Sequence, residues 1–178
     1  SAVKFLPTSM QQRIAKRMLR SAKAQDRPKK GVNLRGANQI ILVYTETDER
    51  KFKLVKDIAV YLKKEYDIKR VMRFAYINGD EKSVPTWHMR KLESDFFCAS
   101  DLNWYDKPVK HVAAHESEPY DVLIHLDPDE STALDFFVAA SKAKMKVANF
   151  SANRPQDFDI LIPPQPKDSW KQRNHRII

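Results

Sequence analysis

The stretch DVLIHLDPDESTALDFFVAASKAKMKVANF, residues 121–150, decides the predicted fold because it contains several elements in a fixed order. An apolar segment is followed by an acidic turn, a helical pattern from about Asp129 to Lys144, and a second apolar segment. Acidic residues at the start of this helix and lysines at its end both favour the helix dipole. The stretch therefore predicts a strand, a helix and a second strand that runs parallel to the first.

The same alternation extends outward on both sides of this unit. A second helix is predicted from about Asp48 to Tyr66, with an apolar stripe on one side and lysines on the other. This pattern is typical of an α/β fold, a three-layer Rossmann-like or flavodoxin-like sandwich with about five mostly parallel strands. The remaining segments predicted as strands are QIILVY (39–44), VMRFAYI (71–77), DFFCAS (95–100) and FDILI (158–162).

Composition excludes several classes of protein. The 178 residues include one cysteine, Cys98, so an internal disulfide framework and a multi-cysteine zinc site are both excluded. Three glycines cannot build the glycine-rich loops that bind nucleotide phosphates, so we expect no nucleotide cofactor. No window reaches the roughly 18 unbroken apolar residues of a membrane span. No leader segment is visible at the start, and we expect a cytoplasmic protein.

Charge is distributed unevenly along a chain whose net charge is +9. Residues 1–37 contain ten basic residues and one acidic residue, whereas residues 38–162 contain 18 basic and 21 acidic residues. Residues 163–178 contain four basic residues and one acidic residue. We therefore predict a basic helical arm and linker at 1–37, an α/β domain at 38–162 and a Pro-containing basic tail at 163–178. Clustered Lys and Arg displace condensed counterions from nucleic acid, so both ends predict contact with a polyanion.

The arm contains an amphipathic helix at residues 10–23, preceded by the start signal Pro7, Thr8 and Ser9. At about 100° per residue its apolar and basic side chains fall on separate faces. Three arrangements fit this separation. The apolar face could dock on a partner protein with the cations toward RNA, lie on an anionic membrane, or pack on its own domain. The residues predicted to dock on a partner are Met10, Ile14 and Met18.

The predicted RNA contacts lie in the two basic ends. Trp170 stands among cations in the tail, where an exposed indole is suited to base stacking, although it could equally attach the tail to the domain. The full predicted set is Arg13, Lys16, Arg17, Arg20, Lys23, Arg27, Lys29, Lys30, Arg35, Trp170, Lys171, Arg173 and Arg176.

Candidate ligand-binding residues lie at the carboxyl ends of the predicted strands, where open α/β sheets bind ligands. Asp127 and Asp129 offer oxygen ligands for Mg²⁺, and the alternative is that one of them caps the following helix. His111 and His115 have the i, i+4 spacing of half a metal site, but the neighbouring acid does not complete a protease pattern, and a solvated loop pair is favoured. No catalytic residue is predicted.

Two blocks carry a resemblance to known proteins: DFFCASDLNWYDKP (95–108) and YDVLIHLDPDESTALDFFVAASKAKMKVANF (120–150). They resemble a family of uncharacterised α/β domains found in Bacteroidota. The resemblance covers about residues 38–162 and extends to a basic N-terminal helix. It implies a cytoplasmic bacterial protein with a Rossmann-like domain, and it implies no activity.

Three functions fit these observations. The first is a non-enzymatic RNA-binding or ribosome-associated protein, in which the arm and tail contact rRNA or a ribonucleoprotein particle and the domain serves as a scaffold. The second is an Mg²⁺-dependent enzyme or small-ligand binder at the strand ends. The third is a protein-interaction module that docks through the apolar face of the 10–23 helix. Segregation of charge favours the first.

Overall fold

The computed structural model describes residues 7–21, 27, 31, 33–128, 130–149 and 151–163. Its centre is a six-stranded parallel sheet with the order β3-β2-β1-β4-β5-β6. This is the strand order of doubly wound Rossmann-type sheets, in which the direction of winding reverses between β1 and β4. The strands are β1 Gln39–Glu46, β2 Arg70–Ile77, β3 Ser94–Cys98, β4 Val122–His125, β5 Met145–Asn149 and β6 Ile160–Ile162.

Four α-helices accompany the sheet in the part of the chain that the structure describes. They are α1 Thr8–Ser21, α2 Glu49–Tyr66, α3 Ala113–Ser117 and α4 Thr132–Ala140. Among these residues no helix combines the length and apolar content that a membrane span requires. The α/β fold predicted from the sequence is confirmed, with six strands rather than about five.

Continuous apolar segments become strands here because both faces of the sheet are covered. On one face α2 packs Val55, Ala59 and Leu62 against alternate residues of β1 and its neighbours. On the other face α4 contributes Phe137, whose ring lies 4.8 Å from that of Phe74 in β2. The sheet and its two covering layers form the predicted three-layer sandwich.

Local signals set the ends of α2. The Asp48 carboxylate accepts a hydrogen bond from the Lys51 amide at 2.8 Å, which caps the first turn. The helix ends at Asp67, whose φ of 54° places it in the left-handed region. The predicted helix from about Asp48 to Tyr66 is thus confirmed.

The prediction for α4 was wrong at both ends. Ser131, rather than Asp127 or Asp129, is the N-cap, and its hydroxyl accepts a hydrogen bond from the Leu134 amide at 3.3 Å. Asp129 lies outside the described residues. The helix stops at Ala140 because the backbone becomes extended at Ser141, so the lysines that follow do not lie in its last turn.

The basic helix α1 packs on the outer surface of α4. Ala15 and Leu19 are buried against Phe136, with half-buried Tyr105 alongside. Of the three arrangements open to the arm helix, the structure therefore has the one in which it lies on its own domain. The apolar contact is small, since two residues of α1 are buried.

Leu19→Asp should detach α1 from α4 while the sheet stays folded, because it places a charge in the buried contact. We expect the amides of residues 8–21 to lose hydrogen-exchange protection and those of β1 and β4 to keep theirs. Met18→Asp is the matched control, since Met18 is 42% exposed, and it should leave protection unchanged. Loss of protection throughout the sheet would show instead that α1 is needed for the core.

Candidate nucleic-acid interface

Four of the predicted RNA contacts form one exposed basic face on α1. Arg13, Lys16, Arg17 and Arg20 follow the spacing i, i+3, i+4, i+7, which places them on one side of a helix. All four are exposed, since the buried Ala15 and Leu19 hold the opposite side against α4. We call these four residues the basic face.

The charges of the basic face are not neutralised within the described part of the chain. Helix α1 contains no acidic residue, and none of the four cations forms an ion pair with a described residue. Two partly exposed cations of the domain, by contrast, are paired: Lys63 with Glu93 at 2.7 Å and Lys144 with Asp121 at 3.0 Å. The basic face therefore presents concentrated positive charge on a helix that is held against the domain.

Arg27 belongs to the predicted set but has a different environment. Its guanidinium donates to the carbonyls of Ala143 and Lys144 at 2.9 and 2.8 Å and pairs with Asp159 at 2.6 Å. The side chain is 6% exposed, so it attaches the N-terminal segment to the amino ends of β5 and β6. We therefore leave Arg27 out of the contact surface.

The other predicted contacts are divided between one exposed turn and segments that are not described. Arg35 is exposed in a short 3₁₀ turn that precedes β1. The predicted contacts outside the described residues are Lys23, Lys29, Lys30, Trp170, Lys171, Arg173 and Arg176.

The residues predicted to dock on a partner are not buried against the domain. Met10 is 46% exposed, Met18 is 42% exposed and Ile14 is half-buried. The buried contact is made by Ala15 and Leu19 instead, so the apolar face is divided between its own domain and solvent.

The crevice between β1 and β4, where such sheets bind ligands, is occupied by a buried ion pair. The Asp127 carboxylate accepts a hydrogen bond from the Thr45 amide at 3.0 Å and binds the Lys51 ammonium at 2.7 Å. Glu130 lies 3.6 Å from the same ammonium. Since a lysine cation already binds this carboxylate, the position does not favour Mg²⁺.

Other acids at the strand ends also have structural partners. Asp48 caps α2, and the Asp80 carboxylate accepts from the Ser83 amide at 2.9 Å to cap a 3₁₀ turn. Glu46 is buried with His88, which stands 42 residues away in sequence. Within the described residues no group of three or more His, Cys, Asp or Glu side chains could hold a metal ion.

His115 and Cys98 are buried, whereas His111 is exposed. The ring nitrogens of His115 lie 2.9 Å from the Tyr120 hydroxyl and 2.8 Å from the Asp95 carboxylate, so the prediction of a solvated loop pair was wrong for His115. It fails because α3 turns His115 inward, whereas His111 stays exposed outside the helix. Burial raises the pKa of the Cys98 thiol, as expected of an inert cysteine.

Sequence reasoning missed the partners in these contacts because they lie far apart in the chain. Lys51 and Asp127 are separated by 76 residues, and neither occurs in a motif that marks the other. A lysine in the first turn of α2, together with an aspartate two residues after β4, was the available signal. The pairing of these two residues can be predicted once β1 and β4 are known to be neighbours in the sheet.

Comparison with known proteins adds a family and no activity. A protein-family model, described as a family of unknown function (DUF6913), matches residues 9–176. No curated protein and no solved structure matches the chain. The match covers α1 from its second residue, the sheet and most of the basic tail, so most of both basic ends lies within the family's region of similarity.

The pair of Lys51 and Asp127 should be energetically coupled. Lys51→Met and Asp127→Asn should each lower the free energy of unfolding by about 3 kcal/mol, because each leaves a buried charge without this partner. In the double variant the loss should fall short of the sum by about 1–3 kcal/mol in denaturant unfolding.

The exposed pair Lys53 and Glu49, 3.2 Å apart, is the matched control and should couple by less than about 0.5 kcal/mol. Millimolar Mg²⁺ should leave the melting temperature unchanged. A rise that Asp127→Asn removes would contradict the structural role of this carboxylate.

Proposed function

The chain belongs to this family of unknown function, and we propose that it is a non-enzymatic RNA-binding protein that associates with rRNA or a ribonucleoprotein particle. The observation that carries the proposal is the basic face, Arg13, Lys16, Arg17 and Arg20, held outward on the surface of the domain. Phosphates supply much of the affinity in protein–nucleic acid contacts, and exposed Arg and Lys are the groups that bind them.

Because α1 is packed on α4, it can bind RNA at a smaller cost in conformational entropy than a solvated basic tail. A solvated tail would lose conformational entropy when it settled on a partner, whereas α1 is already folded and anchored by Leu19. The four cations then meet a polyanion in a fixed arrangement along about two turns of helix. A preformed basic surface of this kind is suited to following a phosphate backbone.

The charge of residues 38–162 favours RNA binding at the basic ends of the chain rather than at the α/β domain. Residues 38–162 carry more acidic than basic residues, so the domain as a whole does not attract RNA. RNA is therefore bound at α1 and the basic tail, with the sheet as scaffold. A Trp170 indole in that tail would add base stacking. We place the protein in the bacterial cytoplasm, in keeping with the resemblance to a Bacteroidota family.

Arg13→Gln together with Arg17→Gln should weaken RNA binding and leave the fold intact. Each lost phosphate contact should reduce the slope of log K against log salt concentration by about 0.7 for single-stranded RNA, so the pair should reduce it by about 1.4. Fluorescence anisotropy with a labelled oligonucleotide over a salt series measures this slope.

Lys56→Gln with Lys64→Gln is the matched control, because it removes the same charge from exposed positions on α2. This control should keep the wild-type slope. An equal loss of affinity in both double variants would mean that net charge alone drives binding, and the proposal would fail.

A further inference from the structure

A cavity of about 410 Å³ opens where α1 meets the start of α4. This volume is within the range of small-ligand sites in proteins. Two cations of the basic face, Lys16 and Arg20, form one side of it. The remaining lining residues are Leu19, Thr132, Asp135, Asn153, Arg154 and Gln156.

Asp135 is the unusual member of this lining. It is 7% exposed, and within the described residues its carboxylate has no hydrogen bond and no ion pair. Burial raises its pKa to about 7, while the charge of Arg154 lowers it and that of Asp157 raises it. Because this carboxylate lines the cavity and has no hydrogen-bond donor among the described residues, it can accept a hydrogen bond from a ligand there.

The charges around the cavity restrict what it can accept. Arg154 is held by Asp157 through two hydrogen bonds, at 2.6 and 3.2 Å, so its charge is largely balanced. Lys16 and Arg20 have no such partner among the described residues. A bare anion would be attracted by these two cations and repelled by Asp135. A suitable ligand therefore carries a negative group and, close to it, a hydroxyl group that donates to the carboxylate.

We propose that this cavity accepts a ribose phosphate, with the phosphate against Lys16 and Arg20 and the ribose 2′-hydroxyl donating to the Asp135 carboxylate. The inference rests on the proposed RNA-binding function and deepens it, because the 2′-hydroxyl is the group that distinguishes RNA from DNA. Lys16 and Arg20 belong both to the basic face and to the cavity, so a strand on α1 brings a ribose to its mouth. A free ribonucleotide presents the same chemistry.

The test compares three single strands of one sequence, made as RNA, DNA and 2′-O-methyl RNA, by fluorescence anisotropy with the full chain at pH 8. Asp135 is then mostly ionised, and its carboxylate accepts a hydrogen bond from the 2′-hydroxyl. We expect RNA to bind about tenfold more tightly than the other two, since a hydrogen bond to a charged group is among the stronger ones. Equal affinity of the wild-type protein for all three strands would overturn the inference.

Asp135→Leu should abolish the preference for RNA, so that all three strands bind about equally. The affinity for RNA should fall, and the affinities for DNA and 2′-O-methyl RNA should stay the same. The melting temperature of the variant should not fall, because the carboxylate has no bond to lose and leucine is of similar size. Should this variant not fold, Asp135→Asn, which keeps one acceptor oxygen, should reduce the preference to about threefold. Asp57→Leu, on the exposed side of α2, is the matched control and should keep it.

Two further titrations, with adenosine monophosphate and deoxyadenosine monophosphate, show whether the cavity binds a free ribonucleotide or a ribose phosphate within an RNA strand. Binding of the ribonucleotide alone, lost in Asp135→Leu, would support the pocket even if no RNA bound and the proposed function failed. Tight RNA binding with a full salt slope but no preference over DNA would leave the proposed function standing and reject the pocket.

Discussion

The buried contact between Asp127, Lys51 and the Thr45 amide reinforces the junction of the two halves of the sheet, where β1 pairs with β4. It lies where the winding reverses, so it ties the end of β4 to the end of β1 and to the first turn of α2. Two charges this deeply buried are tolerated only while both are present and well placed. The Lys51–Asp127 ion pair therefore links the position of α2 on the sheet to the position of β4.

That same contact limits where on the sheet a ligand can bind. In most doubly wound sheets the reversal point is an open crevice that holds a ligand. Here side chains of the protein occupy it, and the neighbouring acids cap helices or pair with His88. The surfaces left for binding are the outer ones. Helix α1 is the most strongly charged of these, and it lies outside the three-layer sandwich on the surface of α4.

Much of the fold could be predicted from the continuous apolar segments in the sequence. A sheet that is covered on both faces needs strands of this kind, because the side chains on both sides of each strand are buried. The ends of α2 were also predictable, since Asp48 is a local cap. The extent of α4 was not, because the run of Asp129, Glu130, Ser131 and Thr132 offers several competing caps, and the structure has Ser131 as the N-cap. The exposure of the basic face followed from helical spacing. The burial of Arg27 did not, because its partners are more than a hundred residues away.

The anchoring of α1 has a consequence for the order in which the molecule is made. Its buried contact is with Phe136, and Arg27, which follows α1 in the chain, contacts residues 143, 144 and 159, all late in the chain. Ribosomes synthesise about 5–20 residues per second from the N-terminus, so α1 waits on the order of ten seconds for its docking site. During that interval Leu19 is uncovered on the nascent chain. The basic face acquires its fixed orientation only after Phe136 and the partners of Arg27 have been synthesised, so a growing polypeptide and a finished one present different surfaces.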